Sequence, residues 1–227
     1  MNMEIRPIAY IRTDFPEKFG IPRQSGRVPS LVGKIVFLPE YRNSDAIRGI
    51  EGFSHLWLIF DFSESHRSEW SPTVRPPRLG GNKRIGVFAS RSPFRPNPLG
   101  LSSVKLVRTE MTEHEGCVLI VSGADLLDMT PIYDIKPYLP FADCHAGASG
   151  GYAEEFEEYR LDVIFENGFE KKLPQEKLEA VTACLAEDPR PSYQNDEERV
   201  YSMRFAEFDI HFRVSGKTLL VIGIDCI

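Results

Sequence analysis

A stretch rich in arginine and lysine contains the side chains of this 227-residue sequence that are best suited to binding a charged ligand. Forty residues lie between Glu69 and Glu110, with eight basic side chains and no acidic one, although the whole chain has a formal charge of −6. The stretch therefore carries +8 and the remainder −14. Surface charges are usually mixed in sign, so this separation indicates a surface for phosphate or carboxylate groups. Its basic residues are Arg75, Arg78, Lys83, Arg84, Arg91, Arg95, Lys105 and Arg108.

Outside this stretch, a stiff loop presents a further arginine next to an amide side chain. In residues 22–26, Pro22 fixes the backbone and Gly26 permits a reversed turn, so Arg23 and Gln24 project from a defined loop. A guanidinium next to an amide can bind a carboxylate or the edge of a base. A solvated loop between strands is an equally good interpretation of this segment alone.

The second loop runs from residue 73 to residue 102 and contains Arg91, Arg95 and Asn97. Asn97 lies between two prolines and offers both a donor and an acceptor. A proline-bracketed loop loses little entropy when it binds, which favours recognition over the alternative of a structural loop with surface arginines.

A third segment, residues 125–143, combines carboxylates with a lysine and a tyrosine. On a strand, Asp134, Lys136 and Tyr138 lie on one face, because side chains alternate with a period of two. A carboxylate, an ammonium and a phenol on one face could position a polar substrate or form a surface ion pair. The periodicity itself favours a surface ion pair, worth under about 1 kcal/mol.

The pattern of short strands predicts a mainly β fold. Seven period-2 segments with few helical stretches between them are typical of a closed or nearly closed β-barrel. A small α+β domain follows a flexible stretch near residue 144, so we expect a barrel over residues 1–145 and a second domain over 146–227. We predict helices at 41–47 and Gln175–Ala186 and strands at 5–11, 33–38, 55–62, 84–89, 103–108, 117–123, 132–136, 160–165, 201–214 and 218–224.

Several classes of protein are not indicated. The glycine motifs of dinucleotide and phosphate-loop enzymes and the nucleophile-elbow and zinc-protease motifs are absent from the sequence. The cysteines and histidines lack metal-ligand spacing, so we expect no metal and four free, mostly buried thiols. The longest apolar runs are far shorter than a membrane span, and the N-terminus lacks a signal core, which predicts a cytoplasmic protein.

Five motifs taken together resemble one family. PRQSG at 22–26, GFSHLWLIF at 52–60, RPPRLGG at 75–81, GVFASRSPFRPNPLGLS at 86–102 and DIKPYLPFAD at 134–143 are similar, in this order, to the TrmO (YaeB, TsaA-like) family of bacterial tRNA methyltransferases. DPRPSY at 188–193 resembles the C-terminal domain of its bacterial members.

The resemblance implies an S-adenosylmethionine-binding β-barrel in place of a Rossmann fold. It also implies N6-methylation of threonylcarbamoyladenosine, next to the anticodon of threonine tRNAs, by a homodimer. Carried over by motif, the cofactor-binding residues are Pro22, Arg23, Gln24, Phe62, Ser63, Arg91, Leu101, Met129, Thr130, Pro131 and Ile132.

Roles for the remaining residues are hypotheses built on this resemblance. We expect Asp134 to accept the proton of the adenine amine and Asn97 to orient that amine. Arg23 or Arg91 would bind the methionyl carboxylate of the cofactor. The residues expected to bind the substrate base, its threonyl carboxylate and the RNA phosphates are Lys136, Arg95, Tyr138, Arg75, Arg78, Lys83 and Arg84.

Two other functions are compatible with the same residues. A non-catalytic RNA-binding barrel would use the basic stretch without a methyl donor. A methyltransferase for a small anionic metabolite would use the arginines to bind its substrate.

Overall fold

The computed structural model describes residues 4–79, 83–156, 158–191, 194 and 196–227, without the side chains of Arg78 and Phe156. Its secondary structure is mainly β, as the sequence predicts. Along the described residues, no helix has the length and apolar character that crossing a membrane requires. The strands are β1 (Ala9–Arg12), β2 (Val32–Phe37), β3 (His55–Asp61), β4 (Thr73–Val74), β5 (Ile85–Gly86), β6 (Leu99–Thr112), β7 (Gly116–Ser122), β8 (Thr130–Pro137), β9 (Asp162–Phe165), β10 (Tyr201–Phe205), β11 (Phe208–Ser215) and β12 (Thr218–Cys226).

Two α-helices and several 3₁₀ helices connect these strands. α1 (Pro140–Asp143) is a single turn, and α2 (Gln175–Ala186) has three turns. The 3₁₀ helices are Pro39–Tyr41, Ser44–Ile47, Ile50–Gly52, Ser63–Ser65, Pro77–Leu79, Val87–Ala89, Gly151–Phe156 and Glu166–Lys172.

Six strands of the N-terminal part form a closed barrel in the order β1-β2-β7-β6-β3-β8. Every neighbouring pair is antiparallel. Alternate residues of β6 are buried, so one face of this long strand lines the apolar interior and the other faces outward. The interior contains Ile11, Leu58 and Ile132 among other aliphatic and aromatic side chains. The loops at the ends of the strands are thereby attached to a rigid frame.

The C-terminal part builds a second core around a four-stranded sheet of order β10-β11-β12-β9. β9 is parallel to β12, and the other two pairs are antiparallel. α2 has the bounds that its helical periodicity predicts and buries Val181, Cys184 and Leu185. This helix packs its apolar face on the sheet, as an amphipathic helix of this length must.

The long connection between β1 and β2 belongs to both parts of the chain. Phe15, Val28 and Leu31 lie in the C-terminal core although they precede or adjoin barrel strands. A side chain at Gly20 (φ +97°) would overlap Met203 of β10, so the backbone approaches the second sheet closely. The connection therefore couples the loops of the barrel to the C-terminal sheet.

Hydrogen bonds and an ion pair reinforce this coupling. The backbone N–H of Ala206 donates to the carbonyl of Asp14 at 2.7 Å. Lys177, on α2, contacts the Asp14 carboxylate at 2.5 Å. Because both charged groups are about three-quarters buried, the contact is stronger than an exposed pair.

Three predicted elements are wrong in detail. The predicted strand 84–89 contains two strand residues and then a 3₁₀ turn, Val87–Ala89. The predicted helix at 41–47 is two 3₁₀ turns separated by Arg42 and Asn43, and the Asn43 side chain accepts from the N–H of Asp45. The single strand predicted at 201–214 is a hairpin, because Ala206 adopts φ +51° and reverses the chain without a glycine or asparagine signal.

The state of the cysteines is confirmed only in part. All four thiols are free, as expected. Cys184 alone among them is buried, whereas Cys144 and Cys226 are exposed and Cys117 is intermediate. The expectation of mostly buried thiols is therefore wrong.

Candidate active site

The loop of residues 22–26 is held between the barrel and the C-terminal part. Gly26 (φ +75°) donates its N–H to the carbonyl of Gly123 at 2.8 Å, at the end of β7. Pro22 is buried, while Arg23 and Gln24 are partly exposed. The loop is thus fixed at both ends, and its two polar side chains remain able to meet a ligand.

Arg23 points toward the C-terminal part of the site. Its Nη2 donates to the carbonyl oxygen of Arg190 at 2.9 Å. Burial lowers the pKa of Arg23 from its ordinary value, and the nearby carboxylates of Asp188 and Glu187 oppose this shift. One of the five N–H donors of the guanidinium is therefore occupied by this carbonyl, and others remain for an anion.

The turn that supplies this carbonyl is itself stiff. Asp188 adopts φ +54°, and its carboxylate accepts two hydrogen bonds from the guanidinium of Arg190, at 2.9 and 3.0 Å. The motif at 188–193 thus contacts the loop at 22–26 directly through its first residues. Ser192 and Tyr193 of this motif lie outside the described residues.

The second arginine loop meets the first one through a side-chain contact. Arg91 Nη1 donates to Oε1 of Gln24. Arg95 donates to the carbonyl oxygens of Ser90 and Ser92, at 3.1 and 3.4 Å, and so shapes its own loop. The structure therefore brings Arg23, Gln24 and Arg91 together. Arg95 uses at least some of its donors to hold the backbone of its own loop.

A partly buried carboxylate, Asp125, lies where these loops meet. The hydroxyl of Ser102 donates to Asp125 Oδ1 at 2.6 Å. Burial raises the pKa of Asp125 above its ordinary value, and the Ser102 hydroxyl, a backbone N–H of Ser25 and the charge of Arg91 oppose the shift. This residue thus connects the three predicted segments around one carboxyl group.

The loop before β8 is tied to the first strand. Met129 adopts φ +59° and donates its N–H to the carbonyl of Ile11 at 2.8 Å. The side chains of Thr130 and Ile132 are buried, Thr130 in a hydrogen bond to the carbonyl of Leu127 at 2.7 Å. Met129 is exposed and Pro131 is partly exposed, so their side chains remain available to contact a cofactor.

At the end of β3, Phe62 lies beside the loop that contains Asn97. The N–H of Phe62 donates to the carbonyl of Pro98 at 2.8 Å, and the ring of Phe62 packs edge-on against Phe60. Asn97 and Ser63 are exposed. The structure thus places Phe62, Ser63 and Asn97 around the same strand end, close to the first residue of β6.

The same strand end contains a cluster that the sequence did not single out. His66 Nε2 lies 2.8 and 3.0 Å from the two carboxylate oxygens of Asp61, which is nearly buried. Burial raises the pKa of Tyr133, and the charge of Asp61 and a hydrogen bond to it add to the shift. The three polar groups stabilise the junction of β3 with β8.

Asp134 lies on the outer face of the barrel in an ion pair. Its Oδ2 is 2.8 Å from Nζ of Lys136, which confirms the ion-pair interpretation of this segment. Asp134 and Leu101 both pair with Ile59 in register, from opposite sides. Because neighbouring strands are about 4.8 Å apart, the backbones at Asp134 and Leu101 are roughly 10 Å apart across the barrel wall.

Tyr138 does not join this pair but packs on the end of the barrel. Its ring centroid is 5.6 Å from that of Trp57, and burial raises its pKa, with Cys144 and Asp143 adding to the shift. Asp143 accepts from the indole N–H of Trp57 and from the N–H of Leu139, which lowers the pKa of Asp143. Much of this motif is therefore structural.

The basic residues of the small β4–β5 hairpin face solvent. Arg75, Lys83 and Arg84 are exposed. The side chain of Arg78 and the glycines of the RPPRLGG motif lie outside the described residues. The described cations of this hairpin form the positive surface that the charge separation predicts.

Comparison with known protein families covers both parts of the chain. The tRNA-methyltransferase O N-terminal domain matches residues 10–144, and the TrmO C-terminal domain matches residues 158–227. The chain belongs to the TrmO family. The family that the motifs resemble is thereby confirmed.

Individual TrmO-like relatives match along almost the entire chain. A tRNA (adenine(37)-N6)-methyltransferase of Escherichia coli K12 is 42% identical and covers 99% of this chain and 98% of its own. A Pseudomonas aeruginosa protein, named as a candidate S-adenosylmethionine-dependent methyltransferase, is 42% identical over 97% of this chain and 96% of its own. A crystal structure of TrmO from Pseudomonas aeruginosa has a TM-score of 0.80 at 34% identity and covers 100% of this chain and 98% of its own.

Two groups at the TrmO site were missed by reasoning from the sequence. Asp125 lies in the same aspartate-rich segment as Asp134, but nothing in the spacing shows that Ser102, far away in sequence, pairs with it. Asp61 ends a strand, and its contact with His66 depends on the turn Ser63–Ser65. In the sequence, the only indication that either aspartate belongs to the site is its position as a polar residue near the end of a predicted strand.

The burial of Asp125 predicts a pH-dependent contribution to stability. Because its pKa is raised in the folded protein, the folded state holds its proton more tightly than the unfolded chain does, so stability falls as pH rises through the raised pKa. We expect the unfolding free energy of Asp125→Asn, relative to wild type, to increase between about pH 4 and pH 7. Urea unfolding at several pH values measures this difference.

An exposed carboxylate provides the control for this prediction. Asp162→Asn removes the same charge from the surface of β9. A difference between Asp125→Asn and wild type that stays constant across this pH range would contradict the raised pKa.

Proposed function

We propose that this protein transfers a methyl group from S-adenosylmethionine to N6 of threonylcarbamoyladenosine at position 37 of threonine tRNAs. The observation that carries the proposal is the end-to-end relation to the Escherichia coli tRNA (adenine(37)-N6)-methyltransferase, 42% identical over 99% of this chain. The contact between the two arginine loops, through Arg91 and Gln24, supports it. The positive hairpin beside them supports an RNA substrate.

The residues at the meeting point of the loops fit the chemical groups of S-adenosylmethionine. Arg23 and Arg91 offer guanidinium donors for its carboxylate. Asp125 offers a carboxylate for its positively charged end, and Met129 and Leu101 offer apolar surface for the adenine. When bound, this cofactor supplies an electrophilic methyl group. Arg23 and Arg91 would hold its carboxylate and so fix its orientation.

The amine that accepts the methyl group needs both orientation and a proton acceptor. The lone pair of the adenine amine is delocalised into the ring, so the two reactants must be aligned within about 3–3.5 Å. We propose that Asn97 orients the amine and that the Asp134 carboxylate accepts its proton. Asn97 is exposed and Asp134 is partly exposed.

The Asp134–Lys136 pair suggests how the modified base is recognised. Lys136 contacts Asp134 at 2.8 Å. We propose that the threonyl carboxylate of the substrate attracts Lys136, with Arg95 and Tyr138 beside it, and leaves Asp134 free to accept a proton. An unmodified adenosine lacks this carboxylate, so the pair would stay closed and the wrong substrate would be rejected.

The exposed cations of the β4–β5 hairpin are proposed to bind the anticodon stem. Arg75, Lys83 and Arg84, together with Arg78, whose side chain lies outside the described residues, would each contact phosphate groups. Binding of this kind is salt-dependent, with a log–log slope of roughly −0.7 to −0.9 per phosphate neutralised. Because the target nucleotide lies in a single-stranded loop, its presentation costs less than flipping a base from a duplex.

We also propose the assembly and organisation of the protein. The exposed apolar side chains of Val107 and Met111, in the second half of β6, are suited to burial in a homodimer. Sedimentation as a monomer at micromolar concentration would contradict that assembly. We propose that residues 1–145 and 146–227 form two domains that share the β1–β2 connection. We also propose that the protein acts on tRNA in the cytoplasm.

Methyl transfer to two matched threonine tRNAs tests the proposed reaction. One tRNA carries the threonylcarbamoyl group and the other lacks it, and radiolabelled S-adenosylmethionine supplies the methyl group. We expect label on the modified tRNA alone. Label on neither, with cofactor binding intact, would favour a small-metabolite methyltransferase; absence of cofactor binding would favour a non-catalytic RNA-binding barrel.

Replacement of the proposed proton acceptor tests its role. Asp134→Asn keeps the shape of the side chain but removes its basicity, so we expect turnover to fall at least about 100-fold. Cofactor affinity should not change. Asp45→Asn, an exposed carboxylate elsewhere, is the control. Turnover near the wild-type rate, measured with saturating modified tRNA, would eliminate Asp134 as the acceptor.

A further inference from the structure

Two aromatic side chains beside the basic hairpin face solvent. The exposed fractions are 54% for Trp70 and 75% for Phe88. Large aromatic side chains usually bury most of their surface, and neither of these packs against either described core. Their exposure is a feature that neither the fold nor the proposed chemistry requires.

The two rings form one surface because the hairpin brings them together. β4 pairs with β5, and the N–H of Val87 donates to the carbonyl of Pro72 at 2.9 Å, which closes the base of the hairpin. Trp70 precedes this base and Phe88 follows it. Their ring centroids are 6.3 Å apart with an interplanar angle of 31°. Adjacent exposed rings indicate a binding surface more strongly than scattered ones do.

The surroundings of this aromatic pair are positively charged. Arg75, Lys83 and Arg84 are exposed on the same hairpin. Nearby in sequence, the guanidinium of Arg67 lies 3.7 Å from the ring centroid of Phe94, so cations and rings already stack in this region. The sequence has no carboxylate from residue 70 to residue 109, and the exposed Glu69 directly precedes Trp70.

Exposed rings within a cationic surface match the chemistry of single-stranded nucleic acid. Cations attract the phosphates, and aromatic rings stack on unpaired bases, each worth a substantial share of the affinity. We propose that Trp70 and Phe88 form a stacking platform for unpaired bases of the tRNA anticodon loop. This inference rests on the proposed tRNA methyltransferase function and adds a binding site to it.

The position of the platform along the chain fits a base next to the target. Phe88 is three residues from Arg91, whose guanidinium contacts Gln24 in the candidate active site. Three residues span at most about 11 Å. A neighbouring nucleotide of the loop can therefore stack on the platform while the target adenosine occupies the site.

Tryptophan fluorescence reports the stacking directly. The protein is titrated with an anticodon stem-loop RNA that carries the threonylcarbamoyl group, and wild type is compared with Trp70→Phe. We expect saturable quenching in wild type that is lost in Trp70→Phe, which still binds because phenylalanine also stacks. Equal quenching in both proteins would overturn the role of Trp70.

Binding affinities of alanine variants provide the second measurement. We expect Trp70→Ala and Phe88→Ala each to weaken binding of the stem-loop at least about fivefold, with an unchanged salt slope. Arg84→Ala should instead reduce that slope by about one. Phe141→Ala, at an 88% exposed aromatic position on α1, is the matched control and should bind like wild type.

Two outcomes would reject the platform. Unchanged RNA affinity in Phe88→Ala is one. A change in the oligomeric mass of Phe88→Ala is the other, because the rings would then contact a second copy of the chain. Wild-type protein that binds the stem-loop without methylating threonine tRNA would instead refute the proposed function and leave the stacking result intact.

Discussion

Glu187 is a buried carboxylate that must be paired, and its pairing joins the two parts of the molecule. It is almost fully buried and contacts Arg27 at 3.1 Å and Arg160 at 2.7 Å. Removing one member of a buried ion pair leaves the charge of the remaining member uncompensated, which costs about 3–5 kcal/mol. The β1–β2 connection, which carries Arg27, is therefore bound firmly to the C-terminal part. The apolar packing of Phe15 and Leu31 in the second core acts in the same direction.

The candidate active site depends on this junction because one of its loops lies within it. Arg23 is only a few residues from Arg27, and it reaches the carbonyl of Arg190 on the turn that follows Glu187. The opposite side of the same loop contacts Arg91 and the region of Asp125. The C-terminal part thus contributes to the geometry of a site whose other residues come from the barrel. A loop held from two sides is pre-organised for a ligand, which reduces the entropy lost on binding.

The sequence was informative where local chemistry decides the structure. α2 has the predicted bounds because its apolar spacing is regular, and the motif loops meet because each begins or ends at a barrel strand. Contacts between distant segments were not predictable. The pairing of Ser102 with Asp125, the contact of Arg23 with Arg190 and the reversal at Ala206 depend on tertiary packing, which overrides local propensity. The hydrogen bonds by which Arg95 and Asp143 stabilise their own loops could not be predicted for the same reason.

The affinity for S-adenosylmethionine of a variant altered at the junction tests this dependence most directly. Arg190→Met keeps the apolar stem of the side chain but removes the two guanidinium hydrogen bonds that hold Asp188, so the turn beneath Arg23 loosens. Titration calorimetry should show affinity weakened about tenfold, equivalent to about 1.4 kcal/mol. Glu198→Ala, which removes an exposed ion pair from the same part of the chain, should bind like wild type. Folded Arg190→Met protein with wild-type affinity would contradict the claim that the C-terminal part positions the cofactor loop.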